Sequence, residues 1–190
     1  MKLCGYGRGA TSSAGSMAWF QVCNQAYNVG IQVGWYINRE PGVATRTLIY
    51  WEQWNGGSMP QDKQYLPVSL SDGDIVEMHV IFTSGFWHIS YSINGGAWIP
   101  MNTPNAPGYK GTYISFYGAI HNSQDDMPGT QSDPCTITGC VYSTGSGLVN
   151  VGLDNANRQW SPSTDAAKCK WYINAINYTD LEMWDWCPLP

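Results

Sequence analysis

Two side chains capable of acid–amide chemistry stand on strand-like stretches of this 190-residue chain: Gln32 in 28–37 and Glu52 in 46–54. A carboxamide offers two N–H donors at any pH, and an ionised carboxylate offers only acceptors. Alternation decides where they point. In 28–37 the odd positions Val29, Ile31, Val33, Trp35 and Ile37 are apolar, so Gln32 falls on the opposite face, flanked by Gly30 and Gly34, two glycines that leave room above the sheet. In 46–54 the even face carries Leu48, Tyr50, Glu52 and Trp54. In 112–121 the core set is Ile114, Phe116 and Ile120, which leaves Tyr113, Ser115, Tyr117, Ala119 and His121 opposite. With Tyr36, these residues make a sheet face of glutamine, glutamate, small residues and exposed aromatics. Such a cluster marks a binding surface more often than chance. Plainer readings compete: the face is covered by the polar stretch 122–146, or it packs against another subunit. Taken singly, Gln32 is equally a structural glutamine in a cleft, and Glu52 an ordinary hydrogen-bonded strand carboxylate.

Other chemistry-bearing residues point nowhere definite. His79, His88 and His121 share no metal-ligand spacing and read as polar strand residues. Asp125-Asp126 reads as two solvated acids in a loop rather than a calcium site. No Gly-x-Ser-x-Gly or Walker pattern occurs, so serine-hydrolase and nucleotide-binding readings have no support. No metal and no cofactor is expected.

The elements that must position this face are short strands. Helix formers are scarce, with four Glu against 21 Gly and 11 Pro. Strands are predicted at 17–23, 28–37, 46–54, 65–70, 74–83, 86–93, 97–101, 112–121, 147–153 and 169–178. Turn signals separate several of them: Asn55-Gly56-Gly57, Ser71-Asp72-Gly73-Asp74 and Asn94-Gly95-Gly96. About ten strands at this spacing mean an all-β sandwich or barrel. Residues 5–16 form a Gly/Ser-rich opening segment, and 122–146 reads as a long surface loop. No linker divides the chain, so 1–190 is expected to be one domain.

Composition excludes several classes. Charged residues are 12% and aromatics 14%, the reverse of a disordered chain. A net charge of −5 with nine Lys+Arg argues against nucleic acid. No apolar run approaches the ~20 residues of a membrane span. Six cysteines, Cys4, Cys23, Cys135, Cys140, Cys169 and Cys187, lack the C-x2-C pairs of a zinc site and suggest disulfides in a secreted protein, with free core thiols as the alternative reading. Proximity suggests Cys4–Cys23, Cys135–Cys140 as a staple of the 122–146 loop, and Cys169–Cys187, among 15 connectivities. The sequon Asn177-Tyr178-Thr179 also points to secretion, although Met1-Lys2-Leu3-Cys4 leads into glycine rather than a signal-peptide apolar region.

The run Ile31-Gln32-Val33-Gly34-Trp35, followed by Thr45-Arg46-Thr47-Leu48-Ile49-Tyr50-Trp51, resembles the neprosin domain, a prolyl-specific glutamic endopeptidase type. It is also similar to the eqolisins, acid endopeptidases with a Gln/Glu dyad. Phe86-Trp87-His88-Ile89 with Asn94-Gly95 and Trp98, then Phe116-Tyr117-Gly118-Ala119-Ile120-His121-Asn122-Ser123 and Gly129-Thr130-Gln131, continue the neprosin likeness in order. Ser16-Met17-Ala18-Trp19, Tyr50-Trp51-Glu52 and Ser71-Asp72-Gly73-Asp74 carry the eqolisin side. The resemblance spans roughly residues 16 to 131 and implies a concanavalin-like antiparallel two-sheet β-sandwich. It also implies acid hydrolysis of peptides, in which a carboxylate activates water and a second polar group holds the oxyanion. Gln32 falls at the first dyad position. The second, a Glu in both groups, matches Ala119, and a methyl cannot activate water. A non-catalytic relative, an inactivated variant, or a carboxylate from elsewhere would each explain that. Glu52, which resembles an acidic residue lining the eqolisin cleft, is the substitute base.

Three functions follow. The first is an acid endopeptidase with an incomplete dyad, whose substrate side is lined by Trp19, Tyr36, Tyr50, Trp54, Ser115 and Tyr117. The second is a non-catalytic module whose aromatics stack on the proline rings of a polypeptide or on glycan faces. The third is a structural subunit of an extracellular assembly.

Overall fold

The computed structural model describes residues 14–24, 29–39, 46–56, 62–71, 73–101, 113–120, 129–130, 132–143, 147–150, 170–175 and 181–186. Its strands are β1 (Ala14–Cys23), β2 (Val29–Arg39), β3 (Arg46–Asn55), β4 (Asp62–Val68), β5 (Val76–Thr83), β6 (Phe86–Ile93), β7 (Ile99–Pro100), β8 (Tyr113–Ile120), β9 (Gly129–Thr130), β10 (Asp133–Ile137), β11 (Val141–Ser143), β12 (Leu148–Asn150), β13 (Lys170–Ala175) and β14 (Leu181–Trp186). No helix occurs among the described residues, and the fold is an all-β antiparallel sandwich. The largest sheet runs β4-β3-β2-β1-β8, and a three-stranded sheet runs β5-β6-β7. Shorter pairings make a β13-β14-β10-β9 sheet and a β11-β12 ribbon.

The apolar periodicity builds the core. Ile31, Val33, Trp35 and Ile37 from β2, with Ile49 and Trp51 from β3, meet Val76 of β5 and Trp87, Ile89 and Tyr91 of β6. Trp51 also keeps its indole N–H satisfied, donating to Gln64 Oε1 on β4 at 3.1 Å. Turn chemistry fixes the register. Ser84-Gly85 joins β5 to β6 with both residues at positive φ, the twist a two-residue hairpin needs. Asn94-Gly95 repeats the device after β6, and Asn94 Oδ1 accepts from the Ile75 amide at 2.8 Å.

Several expectations need correction. Gly30 leaves no room above the sheet, because a Cβ there would stand 2.7 Å from both Cys23 Cβ and the Val22 carbonyl oxygen. The stretch 122–146 is not a continuous loop, since β9, β10 and β11 lie within it. The expected Cys135–Cys140 staple is not formed: both residues are buried thiols in the core cluster beside Ile137. Cys135 sits on β10, paired with Met183 of β14, where it packs as a small apolar side chain. Cys23 is a buried thiol as well, so the Cys4–Cys23 pairing is also not formed. Burial holds its thiol above the ordinary cysteine range, against a hydrogen bond from Gln21 that pulls it down. Cys4, Cys169 and Cys187 lie outside the described residues. No helix among the described residues is long and apolar enough to cross a membrane.

Candidate functional site

Register across the five-stranded sheet places the predicted site residues in successive rows of one face. Ser115, Gln21, Gln32, Glu52 and Lys63 are cross-strand partners in one row. The next row runs Tyr117, Trp19, Gly34, Tyr50 and Tyr65, and the one after it Ala119, Met17, Tyr36, Leu48 and Pro67. Trp54 lies on the other side of the Glu52 row, opposite Gly30. For positions 19, 115, 117 and 119, only the backbone placement is described.

At the centre of the face, Gln32 Nε2 donates to Glu52 Oε2 at 2.7 Å. The Tyr65 hydroxyl donates to the other carboxylate oxygen, Oε1. Glu52 is therefore gripped from both neighbouring strands, β2 and β4, and each of its oxygens accepts one hydrogen bond. Lys63 is the cross-strand partner of Glu52, yet its ammonium lies 5.9 Å from the centroid of the Tyr65 ring. The Tyr65 ring stacks on Tyr50, with centroids 5.6 Å apart and planes 16° from parallel.

Tyr50, expected to be an exposed stacking platform, is 2% exposed. Its ring is covered on one side by Tyr65. Gln32 is 9% exposed, so the centre of the face is interior-like rather than open. Tyr36, Glu52 and Trp54 are half-buried. Burial pushes the Tyr50 hydroxyl well above the ordinary phenol range, and the charges of Glu52, Tyr65 and Tyr36 push the same way. Tyr65 is pushed up as well, by burial first and then by the hydrogen bond to Glu52 and its negative charge. Both phenols are therefore protonated donors at neutral and acid pH.

The structure brings Glu52 to Gln32 and does not bring position 119 there. Ala119 lies four residues along β8 from the Gln32 row and two strands across from β2. At ~3.4 Å per residue and ~4.8 Å between strands, that is about 17 Å. The carboxamide–carboxylate pair of this face is thus Gln32–Glu52. Tyr65 is the member that the sequence reading missed. Its signal was the period-2 pattern carried back through Asp62-Lys63-Gln64, a polar run that hid the start of β4.

His79 and His88 are exposed on the three-stranded sheet, away from this face, and His121 lies outside the described residues, as do Asp125 and Asp126. Among the described residues, no three His, Cys, Asp or Glu are grouped to hold a metal ion. Compared with family models, with curated proteins and with solved structures, the chain matches none.

Proposed function

We propose that the Gln32–Glu52 face is the peptide-binding cleft of a secreted glutamic-peptidase-type domain, with Glu52 as its base. The observation that carries this reading is the 2.7 Å bond from Gln32 Nε2 to Glu52 Oε2 on a tyrosine-lined sheet face. A carboxamide has two N–H donors, and one is given to Glu52. The second remains for the carbonyl oxygen of a bound chain. In the hydrolytic step, Glu52 takes a proton from water, and the water oxygen adds to the carbonyl carbon. Gln32 stabilises the charge that develops on the carbonyl oxygen, and the proton passes to the leaving amine. With the pair made by Gln32 and Glu52, Ala119 does not by itself disable the chemistry.

A second reading, a peptide-binding module without catalysis, is favoured by the grip on Glu52. A carboxylate whose two oxygens already accept from Gln32 and Tyr65 has less acceptor capacity left to hold a water. One experiment separates the two. Cleavage of a peptide library is followed between about pH 2 and 6, the range in which carboxylates titrate. The hydrolase reading expects cleavage that Glu52→Gln lowers by about 10²–10⁴-fold. Peptide retention without cleavage, lost in Glu52→Gln, selects the binding module. Neither cleavage nor retention contradicts both.

A further inference from the structure

The outer face of the β5-β6-β7 sheet takes no part in the Gln32–Glu52 chemistry, and its make-up is distinctive. Residues 78–109 contain no Asp, Glu, Lys or Arg, so Glu77 is the only charged side chain on these three strands. Glu77, His79, Ile81 and Thr83 of β5 and Phe86 and His88 of β6 are exposed on the side away from the core. Trp98, just before β7, is exposed too, and its indole lies 5.6 Å from the His79 imidazole with the planes 57° apart. Strand β6 runs between them and sets Ser90 opposite His79 and Ser92 opposite Glu77, side chains short enough for the indole to span. The imidazole braces a ring that stays open to solvent. Exposed aromatic surface of this kind marks a binding site.

We propose that this face binds a neutral carbohydrate chain, with Trp98 as the platform on which a sugar ring stacks. The proposal stands apart from the peptide reading of the other face. A sugar ring presents a flank of C–H groups and a rim of hydroxyls. A braced indole takes the flank at little cost in ordering. Side chains that both donate and accept take the rim: a neutral imidazole and a hydroxyl do both, and a carboxylate accepts. His79, His88, Thr83 and Glu77 supply these groups beside the indole, over about 20 Å of β5 from Glu77 to Thr83, at ~3.4 Å per residue. The near-absence of charge selects a neutral chain, since an anionic one would find no cation here. An anionic membrane surface draws Lys and Arg, and these strands carry neither. A second copy of this chain would need about 800 Å² from each partner. Two eight-residue strands and the short β7 present roughly half of that, at ~3.4 Å per residue and ~4.8 Å per strand.

The test uses neutral linear oligosaccharides of glucose, xylose and mannose, titrated calorimetrically into wild type, Trp98→Ala, Trp98→Tyr and Glu52→Gln, with melting curves of each. The expected result is that wild type binds at least one of the three series. Trp98→Ala then binds it about ten-fold more weakly or worse while melting with wild type, Trp98→Tyr keeps most of the affinity, and Glu52→Gln keeps all of it. Affinity that survives Trp98→Ala overturns the proposal, as does affinity lost in Glu52→Gln, which would put the sugar on the other face. Wild type that binds none of the three series also overturns it. Two further measurements name the rival occupants: sedimentation of wild type with neutral phosphatidylcholine vesicles, and its own sedimentation as a dimer. Either one, abolished by Trp98→Ala in a chain that binds no sugar, would assign the face to a lipid surface or to a second copy instead.

Discussion

Two sheets of this molecule each turn one face away from the shared core, and the two outer faces are unlike. On the five-stranded sheet, the outward positions Gln32 and Tyr50 are as hidden as core residues, and Gln32, Glu52 and Tyr65 are joined by hydrogen bonds. On the three-stranded sheet, the outward positions Glu77, His79 and Ile81 of β5 and Phe86 and His88 of β6 are exposed. Trp98 beside them is 51% exposed, and its contact with His79 is a tilted ring pair at 5.6 Å. The same period-2 alternation produced both. Alternation tells which side of a strand a residue takes, and cross-strand chemistry decides what that side becomes. Carboxamide, carboxylate and phenol placed in adjacent rows hydrogen-bond to one another, whereas scattered imidazoles and apolar tips do not.

The largest effect that would break this contrast is a truncation. Tyr50→Ala removes a buried aromatic and its stacking on Tyr65, and is expected to cost about 3–5 kcal/mol, as other buried aromatics do. That lowers the melting temperature by roughly 10 °C in a chain of this size. Trp98→Ala, on the other face, is expected to stay within about 0.5 kcal/mol. Comparable losses from the two would show that the faces are equally packed.

Next in size is the polar centre. Gln32→Ala deprives the Glu52 carboxylate of one of its donors in a half-buried setting, with an expected loss of about 1–3 kcal/mol. His79→Ala, on the exposed face, is expected to be near neutral. Chemical denaturation of the two variants measures both.

The smallest effect is a pH dependence. Folding holds the Tyr65 and Tyr50 protons above the ordinary phenol range. Above about pH 10, the usual tyrosine value, the folded state binds more protons than the unfolded chain. Stability from these groups is therefore complete below that pH and is lost as pH rises through it. Alkaline unfolding curves should show this fall, and Tyr65→Phe should make it shallower. An unchanged slope would place Tyr65 outside the cluster.

The strands with clean alternation were legible in the sequence: 28–37, 46–54, 86–93 and 112–121 lie within two residues of the observed β2, β3, β6 and β8. The hairpin turn at Asn94-Gly95 was legible for the same reason, since few other residues tolerate positive φ. The start of β1 at Ala14 was not, because Ala-Gly-Ser looks like a turn until its pairing with Asn38 and Arg39 is known. Neither was β10, whose Asp133-Pro134 opening looks like a loop, nor β14, whose strand state rests on pairing with β10 and β13. At the site, the common face of Gln32 and Glu52 followed from local pattern. The burial of Tyr50 and the arrival of Tyr65 did not, because both depend on β4 docking in one register. The Cys4–Cys23 and Cys135–Cys140 pairings were not legible, because proximity in sequence fits buried apolar thiols as well as it fits disulfides.

The central claim is that the Gln32–Glu52 pair meets the ligand. The most direct measurement follows the side-chain amide resonances of Gln32 in ¹⁵N-labelled protein during titration with N-acetylated, C-amidated hexapeptides. The account predicts that the Gln32 Nε2 signals shift as peptide binds, and that the shift is lost in Glu52→Gln. Peptide binding that leaves those signals unmoved, while resonances elsewhere respond, would contradict it.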